Sequence, residues 1–87
     1  MKVYNVYVEE NSYTFEVFTV VANDATDCIE FIKKQLVDFQ DYTKYGGYHV
    51  QLSEEEIEWI NEENLKFICN TNDFEETQIL DNDFYTD

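Results

Sequence analysis

Arginine is absent from these 87 residues, and five lysines stand against twenty Asp and Glu. Without guanidinium forks the chain lacks the side chain best suited to bidentate capture of phosphate, which counts against phosphate-substrate chemistry. Histidine occurs once, as His49. A lone strand histidine with no partner set is more simply structural than a general base. The two glycines are adjacent, Gly46 and Gly47, so neither a GxGxxG fingerprint nor a phosphate-binding loop is present. Ser12 and Ser53 read as a turn and a helix cap, outside any nucleophile-elbow sequence. Cys28 and Cys69 belong to no CxxC motif, and Met1-Lys2-Val3 leads straight into a strand pattern instead of a secretory apolar segment. The expectation is two reduced, partly buried thiols in a cytoplasmic protein. No apolar run approaches the ~20 residues needed to span a bilayer. The stretch Asp81-Asn82-Asp83-Phe84-Tyr85-Thr86-Asp87 offers oxygens at alternate positions. It lacks the glycine at loop position six and the glutamate at twelve that a helix-loop-helix calcium site needs. No metal, cofactor or catalytic constellation is therefore assigned, and the chain is read as a non-enzyme.

What is abundant is negative charge. The formal net charge is -15. Residues 1–52 hold eight acids and four lysines, whereas residues 53–87 hold twelve acids and only Lys66. Such a load opposes folding by self-repulsion, and it repels nucleic acid and anionic membranes alike. Apolar residues still make up 44% of the chain, with seven Tyr, seven Phe and one Trp. That content supports a folded domain, since disorder combines high charge with few large apolar side chains.

Val3 to Glu9 and Tyr13 to Ala22 are rich in β-branched and aromatic residues. With Glu10-Asn11-Ser12 between them, they read as an antiparallel hairpin. The second strand carries Phe15, Val17, Thr19 and Val21 on one face and Glu16, Phe18 and Val20 on the other. It is apolar on both faces in its later half and is expected to be central. Asp24 can cap a helix in which Ala25, Cys28, Ile29, Ile32, Leu36 and Phe39 recur at three- and four-residue spacing. Residues 40–47 read as a loop and Tyr48 to Leu52 as a third strand. Ser53-Glu54-Glu55-Glu56 is a capping box opening a short helix over 54–62. Leu65 to Cys69 reads as a fourth strand, and Glu76 to Leu80 as a candidate edge strand. Residues 81–87 lack periodicity and read as a candidate mobile end within the single domain 1–87. The expected fold is α+β, in the order β-β-α-β-α-β, with a mostly antiparallel sheet and one main helix packed on it.

Tyr4, Phe15, Phe18, Phe31, Phe39 and Phe67 lie on periodic positions and are simplest as core. Tyr42, Tyr45 and Tyr48 cluster around the glycines, and Phe74, Phe84 and Tyr85 fall among acids. Aromatics so placed either pack loops or anchor an interface. On the second helix Glu54, Glu55, Glu58 and Glu62 lie on the exposed arc. Helical neighbours stand roughly 5–6 Å apart at Cβ, close to the spacing of successive phosphates. Glu63, Asp73, Glu75, Glu76, Asp81 and Asp83 would extend this surface if the last segments pack beside it. Trp59, Tyr45 and Phe74 are candidate anchors. The plainer reading of the same acids is a solvated face.

In size, charge and its bias toward Asn, Asp, Glu, Tyr and Ile, the chain resembles a class of small acidic α+β proteins of phages and mobile elements. These are the DNA-mimic inhibitors, which include anti-CRISPR, anti-restriction and uracil-glycosylase-inhibitor proteins. The resemblance covers the whole chain but carries no family motif, so no site residue transfers through it. It implies a stoichiometric inhibitor in the host cytoplasm. The implied partner is a basic nucleic-acid-binding protein, a nuclease or CRISPR effector. The alternative is a protein-interaction module without mimicry, binding through exposed aromatics or an open sheet edge.

Overall fold

The computed structural model describes residues 1–10, 12–38 and 52–86. β1 (Lys2–Glu9) and β2 (Thr14–Ala22) form the expected hairpin, with Val6 opposite Phe18 and Tyr4 opposite Val20. β3 (Leu65–Asn70) pairs antiparallel with β1, and β4 (Gln78–Thr86) pairs antiparallel with β2. The four strands lie in the order β3-β1-β2-β4, so both hairpin strands are central. This is an α+β domain with a four-stranded antiparallel sheet and one main helix.

That helix, α1 (Ala25–Asp38), covers one face of the sheet. Its stripe of Cys28, Ile32 and Leu36 is fully buried against Val6, Val8, Phe18 and Val20. Each such aliphatic or aromatic side chain contributes roughly 1.5–3 kcal/mol on burial. Ile57 and Ile60 close the same core from the second helical segment. On the other face Val3 and Val21 are buried at one end, while Tyr7 and Tyr85 are exposed. There Phe15 stacks on Tyr85, ring centroids 4.9 Å apart.

Several expectations need correction. Residues 48–51 of the expected third strand lie outside the described residues, as do Phe39, Tyr42, Tyr45 and His49, and Leu52 is not in a strand. The second helix, α2, runs Glu54–Glu58 and stops at Trp59. Asn61 is extended (φ -144°, ψ -171°), and its side chain then caps a separate 3-10 turn, Glu62–Asn64. An Asn that can cap has ended one helix by starting another. The candidate edge strand is longer than expected. Asp81 to Thr86, read as a mobile end, continue β4 along the full length of β2. Phe67 is 51% exposed because β3 lies at the sheet edge; its ring meets Tyr4 edge-on at 5.9 Å. Of the two thiols, Cys28 is fully buried and Cys69 is exposed.

Each edge strand carries a bulge. Ile68 is the unpaired residue between Tyr4↔Phe67 and Val3↔Cys69, and Leu80 between Thr19↔Asp81 and Val20↔Ile79. Bulges of this kind re-aim side chains and blunt an edge. Both leave an apolar side chain exposed.

Polar clamps fix the chain ends of these elements. Asp24 Oδ1 accepts the N–H of Asp27 at 2.8 Å, and Asp27 Oδ2 accepts the N–H of Asn23 at 3.0 Å. Thr77 Oγ1 donates to the same Asp27 oxygen at 2.6 Å, tying the segment before β4 to the start of α1. Glu16 is fully buried, and Asn82 Nδ2 of β4 donates to its Oε2 at 2.9 Å.

Two predictions follow from the clamps. Asn82→Ala removes a donor from a buried carboxylate and is expected to destabilise the domain by about 1–3 kcal/mol, read from urea unfolding with the m-value unchanged. A neutral result would mean that the Asn82 bond does not help to hold Glu16 in the core. The Thr77 hydroxyl, then the Asn23 N–H, hold the Asp27 carboxyl below the ordinary carboxylate range. A depressed folded-state pKa contributes stability above the unfolded value of about 4 and loses it as pH falls through the folded value. Asp27→Asn should therefore be less stable than the parent at neutral pH, with the gap closing below about pH 4 in parallel acid titrations.

Candidate functional site

α2 and the 3-10 turn gather six of the twelve acids of residues 53–87 into a short, doubly capped stretch. Ser53 Oγ accepts the Glu56 N–H at 3.2 Å, and Glu56 Oε1 accepts the Ser53 N–H at 3.1 Å. This reciprocal pair is the capping box expected from the sequence. One turn later Asn61 Oδ1 accepts the Glu63 N–H at 2.8 Å, and Asn64 Oδ1 accepts the Asn61 N–H at 3.0 Å. Asn64 Nδ2 donates to the Tyr7 carbonyl at 2.9 Å, which fastens the turn to β1. Lys33 Nζ of α1 donates to the Glu58 carbonyl at 3.0 Å and pairs with its carboxylate at 3.8 Å.

The result is a backbone of fixed shape presenting Glu54, Glu55, Glu58, Glu62 and Glu63 to solvent. Glu54, Glu55 and Glu56 occupy the first turn of α2, where the N-terminal N–H groups favour negative charge. Trp59 ends the helix with its side chain 68% exposed, while Ile57 and Ile60 on either side are buried. Among the described residues Lys33–Glu58 is the one ion pair within 4 Å. Among the described residues this acidic stretch is thus left almost wholly without a cation partner.

The remaining candidates divide. Asp73, Glu75 and Glu76 are exposed and Phe74 is half-buried, all in the segment between β3 and β4. That segment sits where Thr71 donates to the Met1 carbonyl at 2.9 Å and Thr77 reaches Asp27, at the start of β1 and of α1. α2 and the 3-10 turn lie at the other end of β1, beside Tyr7 and Val8. The two acidic groups are consequently separated by the length of an eight-residue strand, roughly 25 Å. They form two poles instead of the single extended surface that the sequence suggested. Tyr45 lies outside the described residues.

Asp81 and Asp83 were expected to join the acidic surface, whereas the groove beside α2 was not singled out from the sequence. Asp81 and Asp83 stand opposite Thr19 and Val17, adding acids beside the Phe15–Tyr85 stack on the sheet face away from α1. A groove of about 340 Å³ opens beside α2, lined by Val8, Leu52, Trp59, Ile60, Glu56 and Glu63 among others. The capping box at Ser53 and the apolar phase of Ile57 and Ile60 were visible signals for its wall. Its other wall, the end of β1, depends on the chain path.

The two cysteines sit in different environments. Burial, helped by the Asp27 charge, pushes the Cys28 thiol up to about 12. A thiol so protonated is a poor nucleophile. Among the described residues no group of three or more His, Cys, Asp or Glu is placed to share a metal ion. No described helix is long and apolar enough to cross a membrane. Comparison with protein-family models, curated proteins and solved structures finds no match to this chain.

Thiol accessibility gives a direct check of this environment. At about pH 8 a disulfide reagent should modify one cysteine rapidly in the native protein, and Cys69→Ser should abolish that phase. Cys28 should react only after denaturant is added.

Proposed function

We propose that this chain is a stoichiometric protein inhibitor whose acidic surface imitates nucleic acid and blocks a basic nucleic-acid-binding enzyme. A CRISPR effector or restriction enzyme is the kind of target meant. One observation carries the reading. Carboxylates are held on a rigid, twice-capped backbone stretch, and among the described residues only Glu58 of that stretch pairs with a cation within 4 Å. A soluble surface needs charge, but it does not need charge of one sign without partners. Helical spacing places the carboxylates at separations near those of backbone phosphates. Basic clefts that hold DNA do so largely through phosphate contacts, so a protein offering comparable charge competes for the same Lys and Arg. The mechanism is occupation, with no bond made or broken.

A specific observation favours the rival reading of a non-mimic interaction module. Phe67 and Ile68 are 51% and 45% exposed on β3, whose outer edge pairs with no described strand. Strand addition there would place main-chain hydrogen bonds and apolar contacts ahead of charge.

Salt separates the two. A tagged copy should capture a nucleic-acid enzyme from lysate and release it both on addition of duplex DNA and on a step to high salt. Glu55→Lys with Glu62→Lys should weaken that complex by roughly tenfold or more at low salt, chiefly through slower association. Glu58 is left intact because it also pairs with Lys33. A complex indifferent to salt, to duplex and to the double reversal would move the assignment to the β3 edge.

A further inference from the structure

The groove beside α2 has a composition that the acidic surface alone does not explain. Val8, Leu52 and Ile60 give it apolar lining, Trp59 gives it an aromatic one, and Glu56 and Glu63 bring carboxylates to it. Trp59 is the chain's single tryptophan and its most exposed large hydrophobic side chain among the described residues. Glu9 also borders the groove. Among the described residues the Glu9 and Glu63 carboxylates take no internal hydrogen bond or ion pair, while one oxygen of Glu56 is occupied by the Ser53 N–H. Among the described residues no lysine lines the space.

We infer that this groove receives an arginine side chain of the protein partner, a step that rests on the inhibitor reading for the existence of a basic partner. Three alternatives fit the chemistry less well. An anion is repelled by three glutamates. An apolar side chain would desolvate those carboxylates with nothing to compensate them. A lysine ammonium satisfies the charge but leaves the indole poorly used, because it is compact and strongly hydrated. A guanidinium is flat, weakly hydrated and forked. It can lie over the Trp59 ring while its N–H groups meet Glu63, and its methylene stem can cover the apolar lining. The volume lies at the lower end of the ~300–1,000 Å³ range of small-ligand sites, which suits one side chain and not a helix. Because Asn64 and the two caps already fix the backbone beneath, little ordering is needed on docking.

The test uses the whole chain and isolated side-chain probes. N-acetyl-arginine amide and N-acetyl-lysine amide are titrated at physiological ionic strength, and the Trp59 indole N–H and the backbone amides of residues 62–64 are followed by NMR. The expected result is a saturating response confined to these signals, with arginine several-fold tighter than lysine. Glu63→Gln should weaken the arginine response by roughly three- to tenfold, on the scale of one charge-assisted contact. Trp59→Ala, read through the Glu63 amide, should remove most of it. Both side chains are exposed, so a folded variant is expected, and circular dichroism verifies it. A response spread over Glu54, Glu55, Asp73 and Asp81, an equal response to lysine, or no change in Glu63→Gln would each overturn the assignment. No partner is needed for this titration, so it fails separately from the mimicry reading. A confined arginine response in a protein whose captured partner ignores salt and duplex keeps the groove and discards the mimicry. A salt-sensitive, duplex-released partner with a scattered probe response keeps the mimicry and discards the groove.

Discussion

Repulsion among carboxylates is the constraint around which this domain is built. A chain with a formal charge of -15 and five lysines cannot balance its acids internally. It can only spread them over a surface and hold that surface together from beneath. Among the described residues the main body of the core that does so is thin: α1 and two isoleucines of the second helical segment against one face of the sheet, with Val3 and Val21 buried on the other. Within it the apolar side chains are fully buried, as their contribution requires. Neutral polar clamps then take on work that ion pairs do elsewhere. Asn61 and Asn64 shape the 3-10 turn, Thr77 and Asn23 hold Asp27, and Asn82 holds Glu16. Amides and hydroxyls can satisfy carboxylates without consuming scarce cations. The bias toward Asn is thereby linked to the charge.

Much of this was legible in the sequence, and what was not has identifiable causes. The hairpin and α1 follow from periods of two and 3.6 over long stretches, and the Ser53 box from a local pattern that needs no tertiary information. The end of β4 escaped because Asn82 faces inward where an apolar residue would advertise a strand, while Asp81 and Asp83 made the stretch read as an acidic tail. Its inward polarity makes sense only once Glu16 is seen opposite the same face, 66 positions away. α2 was read too long because Asn61 and Asn64 look like the ragged end of one helix and are in fact a second cap. Phe67 was assigned to the core on its phase, but phase gives the face of a strand and not its place in the sheet.

The site was legible in part for the same reason. Glu54, Glu55, Glu58, Trp59, Glu62 and Glu63 are neighbours in sequence, and short-range structure keeps them together. Asp73, Glu75 and Glu76 follow only ten or so positions later, yet β3 carries the chain to the opposite end of the sheet before they occur. A partner that engages both poles must span about the length of β1, roughly 25 Å. That is longer than the contact a single helix face would offer. In the proposed inhibitor it means that either pole could be weakened while the other still holds, so effects of substitutions at the two ends should be largely independent.

Charge and the indole groove would divide the work of recognition between them. An uncompensated acidic surface acts at range: it draws a basic cleft inward and turns it, and it does so for any cleft of that sign. It therefore speeds encounter but discriminates poorly, and salt weakens it. In the proposed complex Trp59 would act only on contact, where water has been displaced and a ring face can tell a guanidinium from an ammonium. Placing the indole inside the acidic pole, between Glu56 and Glu63, means that the side chain most attracted by the field meets the surface that can select it. Neither part suffices alone. Acids without the groove would bind basic surfaces indiscriminately, and a groove without the acids would depend on unassisted collision.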